Sequence, residues 1–195
     1  VPLLVEKGKD DLLPTISEHM EKQPGAQTSL SDSVKNMMAS VKILTGKKGP
    51  DLMFHAPVRT QTGLVKQDIN IETRNLNADH TILLFYQGEC PLCEDTLIDL
   101  ANKYSRLEEQ NVRVIAISGD KTEQGFKAKL AYHQWPDNYC DFSGIAGENF
   151  TNYGVLGVPT LFLLDQDGVV IKKTAMVDEV MESIDMKNPE SQTKD

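Results

Sequence analysis

Apolar residues recur at two different periods along this chain, and the change from one to the other divides it. Up to residue 46 the spacing is helical: Leu13, Ile16 and Met20 form one stripe, and Val34, Met37, Met38, Val41 and Leu44 form a second. Recurrence at three and four residues is the signature of an amphipathic helix. Pro24-Gly25 separates the two stripes, Ser31 or Ser33 stands where the second helix would be capped, and Gly46 where it would end. Methionines at this spacing predict a packed face, not a metal or ligand site. Lys47-Lys48-Gly49-Pro50 marks a boundary. After it come short extended pieces: Leu52 to Val58, a turn at Thr62-Gly63, Leu64-Val65, and Ile69 to Ile71.

Beyond residue 80 strands and helices alternate. The run from Thr81 to Tyr86 and that from Val112 to Ile117 are too continuously apolar for half-exposed strands, which predicts central strands covered on both faces. Between them Leu97, Leu100, Ala101, Tyr104 and Leu107 repeat on one face of a helix reaching about Gln110. Strand, helix and strand at this spacing imply a right-handed crossover and parallel pairing. A second helix is predicted from about Thr122 to Gln134, ended by Trp135-Pro136. Leu161 to Leu164 and Val169 to Ile171 flank Asp165-Gln166-Asp167-Gly168, a hairpin turn. That turn lacks the acidic spacing and closing glutamate of a calcium loop. A last helix starts near Val177, and residues 188–195 read as a loose tail. The expected organisation is a helical extension over 1–46, one reading of which is the end of a larger upstream domain, an α/β domain over 49–187, and the tail.

Length and charge narrow the function classes. A chain of 195 residues holds one domain of ordinary size plus an extra segment. With 29 acidic against 20 basic residues the net charge is -9, which argues against nucleic acid or an anionic membrane surface as the main partner. No apolar run approaches the ~18 residues a membrane span needs, and no signal-peptide core opens the sequence. The first residue is Val, not Met, so the chain reads as processed or truncated, with an export signal or a domain removed. Three cysteines always leave one over, which does not suit a disulfide-stapled scaffold.

The chemistry concentrates in Cys90-Pro91-Leu92-Cys93, between the first central strand and the helix that follows. A thiol at a helix N-terminus meets free amides and the positive end of the dipole, both of which favour the thiolate. A second thiol one turn on is close enough to close an exchangeable disulfide. Two other readings stand beside this dithiol site. A zinc site needs two further ligands, for which Cys140 and His133 are the available pair, since His19, His55 and His80 are scattered. A purely structural disulfide is the third.

Strand, CxxC at a helix start, strand, helix, then Gly157-Val158-Pro159-Thr160 before a hairpin and a last helix resembles the thioredoxin superfamily. The stretch from Gly49-Pro50-Asp51-Leu52 resembles the N-terminal hairpin of its extracytoplasmic branch, whose members reduce disulfides outside the bacterial cytoplasm. The likeness covers residues 49 to about 185. It implies a central mixed sheet flanked by helices, a cis Val158–Pro159 bond, and a site in which Cys90 attacks, Cys93 resolves, and Val158, Pro159 and Thr160 receive an extended substrate segment as an added strand. Pro91 suits the first helical turn, where a missing N–H does no harm. The implied protein is a thiol-disulfide oxidoreductase acting on protein disulfides with no bound cofactor, served by an upstream thiol donor and located outside the cytoplasm, either periplasmic or membrane-tethered through a missing N-terminus.

Three positions depart from the family. Glu89 stands where a tryptophan commonly precedes the first cysteine, Leu84 where thioredoxins carry a buried acid, and Thr96 where extracytoplasmic reductases carry a glutamate. Glu94 and Asp95 are the nearby carboxylates for proton transfer, although acids at a helix start also serve the dipole. Two alternatives of other kinds remain. A thiol peroxidase shares the fold but places its cysteine after Pro-x-x-x-Thr-x-x, which is absent before Cys90. A peptide-binding module would leave the thiols incidental. The charge around the site predicts a reductant: Glu89, Glu94 and Asp95 crowd the thiols and no Lys or Arg lies from Gln87 to Asp99. Asn149-Phe150-Thr151 is a formal glycosylation sequon to which three matching residues lend no weight. Cys140 is expected to be a small buried apolar side chain.

Overall fold

The computed structural model describes residues 44–187 together with Leu12 and Thr15, so the helices expected before residue 44 and the tail expected from 188 lie outside the described residues. Strands β1 (Leu52–Phe54), β2 (Val58–Thr60), β3 (Leu64–Val65) and β4 (Ile69–Ile71) come first. They are followed by β5 (His80–Tyr86), helix α1 (Pro91–Glu109) and β6 (Val112–Ser118). Then come α2 (Glu123–Ala128), a 3-10 turn (Leu130–Tyr132), β7 (Asp137–Cys140), α3 (Glu148–Tyr153), the hairpin β8 (Thr160–Asp165) and β9 (Val170–Thr174), and α4 (Val177–Lys187). Seven strands form one mixed sheet in the order β3-β2-β7-β6-β5-β8-β9, while β1 and β4 pair apart from it.

Continuous apolar runs place β5 and β6 at the centre, parallel and in register from His80 opposite Val112 to Tyr86 opposite Ser118. The pleat sends alternate side chains to opposite faces. Ile82, Leu84 and Tyr86 meet Leu97, Leu100 and Leu107 of α1 and Val180, Met181 and Ile184 of α4. Leu83 and Phe85 meet Phe150 and Tyr153 of α3 and Leu52, Phe54 and Val58 of the N-terminal strands. The expected α/β architecture, a mixed sheet covered by helices, is therefore the observed one.

Local expectations differ in three places. The extended piece over 52–58 is broken in two by a cis Ala56–Pro57 bond, and its halves go to different sheets. The second helix is shorter than the predicted span to Gln134: it ends at Ala128, and the chain turns through Leu130–Tyr132 so that His133 and Trp135 point into the core. Burial of the indole overrides the helical pattern. The short elements β7 and α3 are additions. On α3, Asn149 is buried and works as a strand neighbour would, accepting the Met53 N–H at 2.9 Å and donating to the Met53 carbonyl at 2.8 Å.

Candidate active site

The start of α1 positions the two thiols. Cys90 has extended backbone angles and is the N-cap, its sulfur accepting the Cys93 N–H at 3.1 Å, and Pro91 occupies the first helical turn. Asn111, in the left-handed region at φ 53°, ends the helix beyond Gln110. Cys90 and Cys93 are joined as a disulfide with their Cα atoms 5.2 Å apart. Cys90 is half-buried and Cys93 has no exposed surface. The cap thus presents one sulfur to solvent and keeps the other inside.

A second layer holds the loop that delivers Cys90. Both carboxylate oxygens of buried Asp120 accept the Gly88 N–H at 3.0 Å, and the Ser118 hydroxyl donates to one of them at 2.6 Å. Gln87 donates to the Gly119 carbonyl at 3.0 Å, and the Gly119 N–H to that of Tyr86 at 2.8 Å. Gly88 lies so close to α2 that a Cβ there would stand 2.0 Å from the Gly125 carbonyl oxygen. Main chain cannot swing aside as a side chain can. Gly88→Ala is therefore expected to cost roughly 1–3 kcal/mol of stability and to displace the thiol loop. Urea unfolding together with the Cys90 alkylation rate checks this, and wild-type values of both would contradict it.

Of the predicted proton-transfer carboxylates, Asp95 is exposed and Glu94 is tied down. One Glu94 oxygen pairs with Lys129 and the other accepts the Tyr132 hydroxyl at 2.7 Å. These hydrogen bonds hold its pKa below the usual range. Lys129 corrects the expectation of a site without nearby cations, because the turn after α2 carries it 35 residues across the sequence to the helix start. One residue beyond Tyr132, His133 is buried with its ring edge-on to Tyr86 at 5.2 Å and stacked on Trp135 at 5.2 Å. Burial lowers its pKa to about 4.

The predicted substrate strand lies opposite the thiols. The Val158 carbonyl oxygen is 3.7 Å from the Cys90 sulfur and the Val158–Pro159 bond is cis. Thr160 opens β8 and donates to the Gly157 carbonyl at 2.7 Å. An open groove runs from this turn between α1 and α4, lined by Leu92, Asp95, Pro159, Met176 and Val177, with Leu92 and Met176 about half exposed at 49% and 45%. Cys140 is buried, its sulfur 3.4 Å from the Asp120 carbonyl oxygen, and burial raises its pKa. Among the described residues no three His, Cys, Asp or Glu side chains gather as a metal site.

Comparison with known proteins follows the same elements. Human nucleoredoxin is 31% identical over 112 residues, which is 56% of this chain and 26% of that protein. The thiol-disulfide oxidoreductase ResA of Bacillus thuringiensis subsp. konkukian is 29% identical over 103 residues, 53% of this chain and 58% of its own. The chain thus spans about a quarter to somewhat over half of the curated relatives it matches. A thioredoxin-like protein from Bacteroides caccae superposes with a TM-score of 0.65 at 20% identity, over 89% of this chain and 61% of that one. The thioredoxin domain of a thiol-disulfide oxidoreductase from Bacteroides vulgatus does so at 0.61 and 15%, over 75% and 99%. At such identities the likeness shows the thioredoxin-like fold. The AhpC/TSA family model matches residues 45–173, a span that takes in the strand before the thiols, the thiol helix and the Val158-Pro159 turn, and the chain belongs to that family.

Proposed function

We propose that the protein is a thiol-disulfide oxidoreductase that reduces protein disulfides by dithiol exchange. The observation that carries this is the division of labour in the Cys90–Cys93 pair: one sulfur caps a helix at the surface, and the other lies one turn inside at bonding distance. Cys90 attacks a substrate disulfide as the thiolate, and Cys93 displaces the substrate from the resulting mixed disulfide. The Val158 backbone beside Cys90 receives the substrate segment as an added strand, with Pro159 and Thr160 shaping that edge. An upstream thiol protein returns the dithiol to its reduced form, and no bound cofactor takes part. We place the protein outside the cytoplasm, on its likeness to extracytoplasmic reductases. Among the described residues no helix is long and apolar enough to cross a membrane.

The test is turnover of a protein disulfide in the presence of a dithiol donor, run beside turnover of a hydroperoxide. Reduction of the protein disulfide supports the proposal. Hydroperoxide consumption alone would make the protein a thiol peroxidase, and absence of both would leave a binding module.

Charge sets the expected direction of exchange. Lys129 compensates Glu94, while Glu89 and Asp95 remain exposed beside the thiols and oppose the thiolate that the helix end favours. Strong oxidants are those whose dithiol form is unusually stable, so the potential is expected nearer about -270 mV than about -120 mV. Equilibration with glutathione measures it. A pair that stays reduced in a mildly oxidising buffer would show that the cation at Glu94 outweighs the carboxylates.

A further inference from the structure

Cys93 must lose a proton before it can attack, and it does so inside the protein, where no solvent reaches its sulfur. A buried base is therefore part of the chemistry, and its candidates can be taken in turn. Glu94 has both oxygens engaged, by Lys129 and Tyr132. Asp120 accepts from the Gly88 amide and the Ser118 hydroxyl and lies at the loop before Cys90. Tyr86 and Tyr104 hold their own protons more tightly than free tyrosine, chiefly because of burial.

His133 differs from all of these. It is 94% buried, and neither ring nitrogen has a hydrogen-bond partner. A buried polar atom without a partner is costly, and such groups persist at sites of function. The ring is held edge-on to Tyr86 and face-on to Trp135. Both of those residues belong to the same apolar layer as Cys93, and the neighbouring Tyr132 reaches Glu94, next in sequence to Cys93. The turn after α2 thus delivers a neutral imidazole with unpartnered ring nitrogens to the face of the core on which Cys93 also lies.

We propose that His133 is the proton acceptor for Cys93 in the resolving step. This rests on the dithiol-exchange reading above. The Cys93 S–H proton passes to a ring nitrogen, and the thiolate attacks the Cys90 sulfur. The Cys90–Cys93 bond forms as the bond from Cys90 to the substrate sulfur breaks, and two electrons have moved from the dithiol to the substrate. The substrate cysteine leaves as a thiolate and takes up a proton from the imidazolium or from water. Of the titratable groups nearby, Tyr86 from β5 packs edge-on to the ring, Tyr104 from α1 packs on the Trp135 that stacks on it, and Lys129 and Tyr132 of its own turn bind Glu94, next in sequence to Cys93. Asp120 and Cys140 lie beyond Tyr86.

His133→Phe keeps the ring and its stacking but removes both nitrogens, and His133→Gln keeps a polar group without the imidazole. The probe is 5,5′-dithiobis(2-nitrobenzoate) mixed rapidly with the reduced protein: release of the first thionitrobenzoate reports attack by Cys90, and release of the second reports resolution by Cys93. In both variants the first phase is expected to stay within about twofold of wild type, and the second to slow by about a hundredfold at pH 7, in the range of positioned acid–base groups. The slowed phase should then rise about tenfold per pH unit with the free-thiolate fraction of Cys93. His133→Phe should melt no lower than wild type, since it removes two unpaired buried nitrogens. An unchanged second phase would overturn the proposal. Equal slowing of both phases would overturn it too, assigning the ring to packing. Failure of the wild type to show Cys90-dependent release at all would instead sink the dithiol-exchange reading.

Discussion

Cys90→Ser is expected to abolish disulfide turnover, whereas Cys93→Ser should leave the first attack intact and hold the substrate as a mixed disulfide. The asymmetry follows from where α1 begins. Cys90 is the N-cap, half-exposed, with the Val158 carbonyl edge beside it. A serine there keeps the capping oxygen but is no nucleophile towards sulfur, so activity should fall on the order of 10³-fold or more, to the blank. Cys93 has no exposed surface and meets only what Cys90 has already captured, so its loss stops release and not capture. Brief alkylation of the reduced wild type should accordingly label Cys90 first. Cys93 is shielded, and Cys140 is both buried and shifted towards the neutral thiol. Mass mapping and a non-reducing gel of Cys93→Ser with its disulfide substrate check these outcomes. Rapid labelling of Cys140, or a trapped complex in Cys90→Ser, would reverse the assignment.

Acid should weaken the fold through His133 by about 3 kcal/mol, taken at 1.36 kcal/mol per pH unit over the interval between the ordinary and the buried histidine values. Burial lowers its pKa from 6.5 to about 4, so below pH 6.5 the unfolded chain takes up the proton that the folded one refuses. The contribution is complete above about pH 6.5, falls as pH drops, and levels off near pH 4. His55 has the opposite sign: hydrogen bonding to Glu148 raises its pKa, and what it contributes is lost as pH rises through that value. It is exposed, so its share is small. Glu94 and Glu123, held low by Lys129 and Lys127 respectively, make contributions that are full above the ordinary carboxylate range and are lost as pH falls through and below it. Urea unfolding of wild type and His133→Phe from pH 7.5 to 4 isolates the histidine by difference. Curves that run parallel across that window would show that the buried ring does not resist protonation.

The shape of the domain was readable in the order of the residues because its causes are local or periodic. Unbroken apolar runs mark β5 and β6, since only strands covered on both faces tolerate them. Asp165 to Gly168 marks the β8–β9 turn, in which Gly168 adopts φ 74°. Proline after a cysteine at the end of a strand marks the start of α1, so the redox pair itself was legible. Chain spacing alone puts those two sulfurs one turn apart.

What surrounds the pair was decided by the tertiary structure. The helix predicted to Gln134 stops at Ala128 because burying Trp135 outweighs a few residues of helical propensity. That early stop carries Lys129 and Tyr132 to a helix start more than thirty positions earlier in the chain and sets His133 against Tyr86 of β5. Asp120 and Gly88 meet for a related reason: parallel pairing of β5 and β6 brings the ends of two strands side by side, and with them the loops that follow. The sequence by itself determined the CxxC pair at the start of α1, the parallel pairing of the two central strands and the β8–β9 turn, all consequences of neighbours along the chain. The cation on Glu94, the clamp on the thiol loop and the imidazole buried against Tyr86 and Trp135 depend on how the folded chain packs, and only close packing of the folded core selects which distant residues touch.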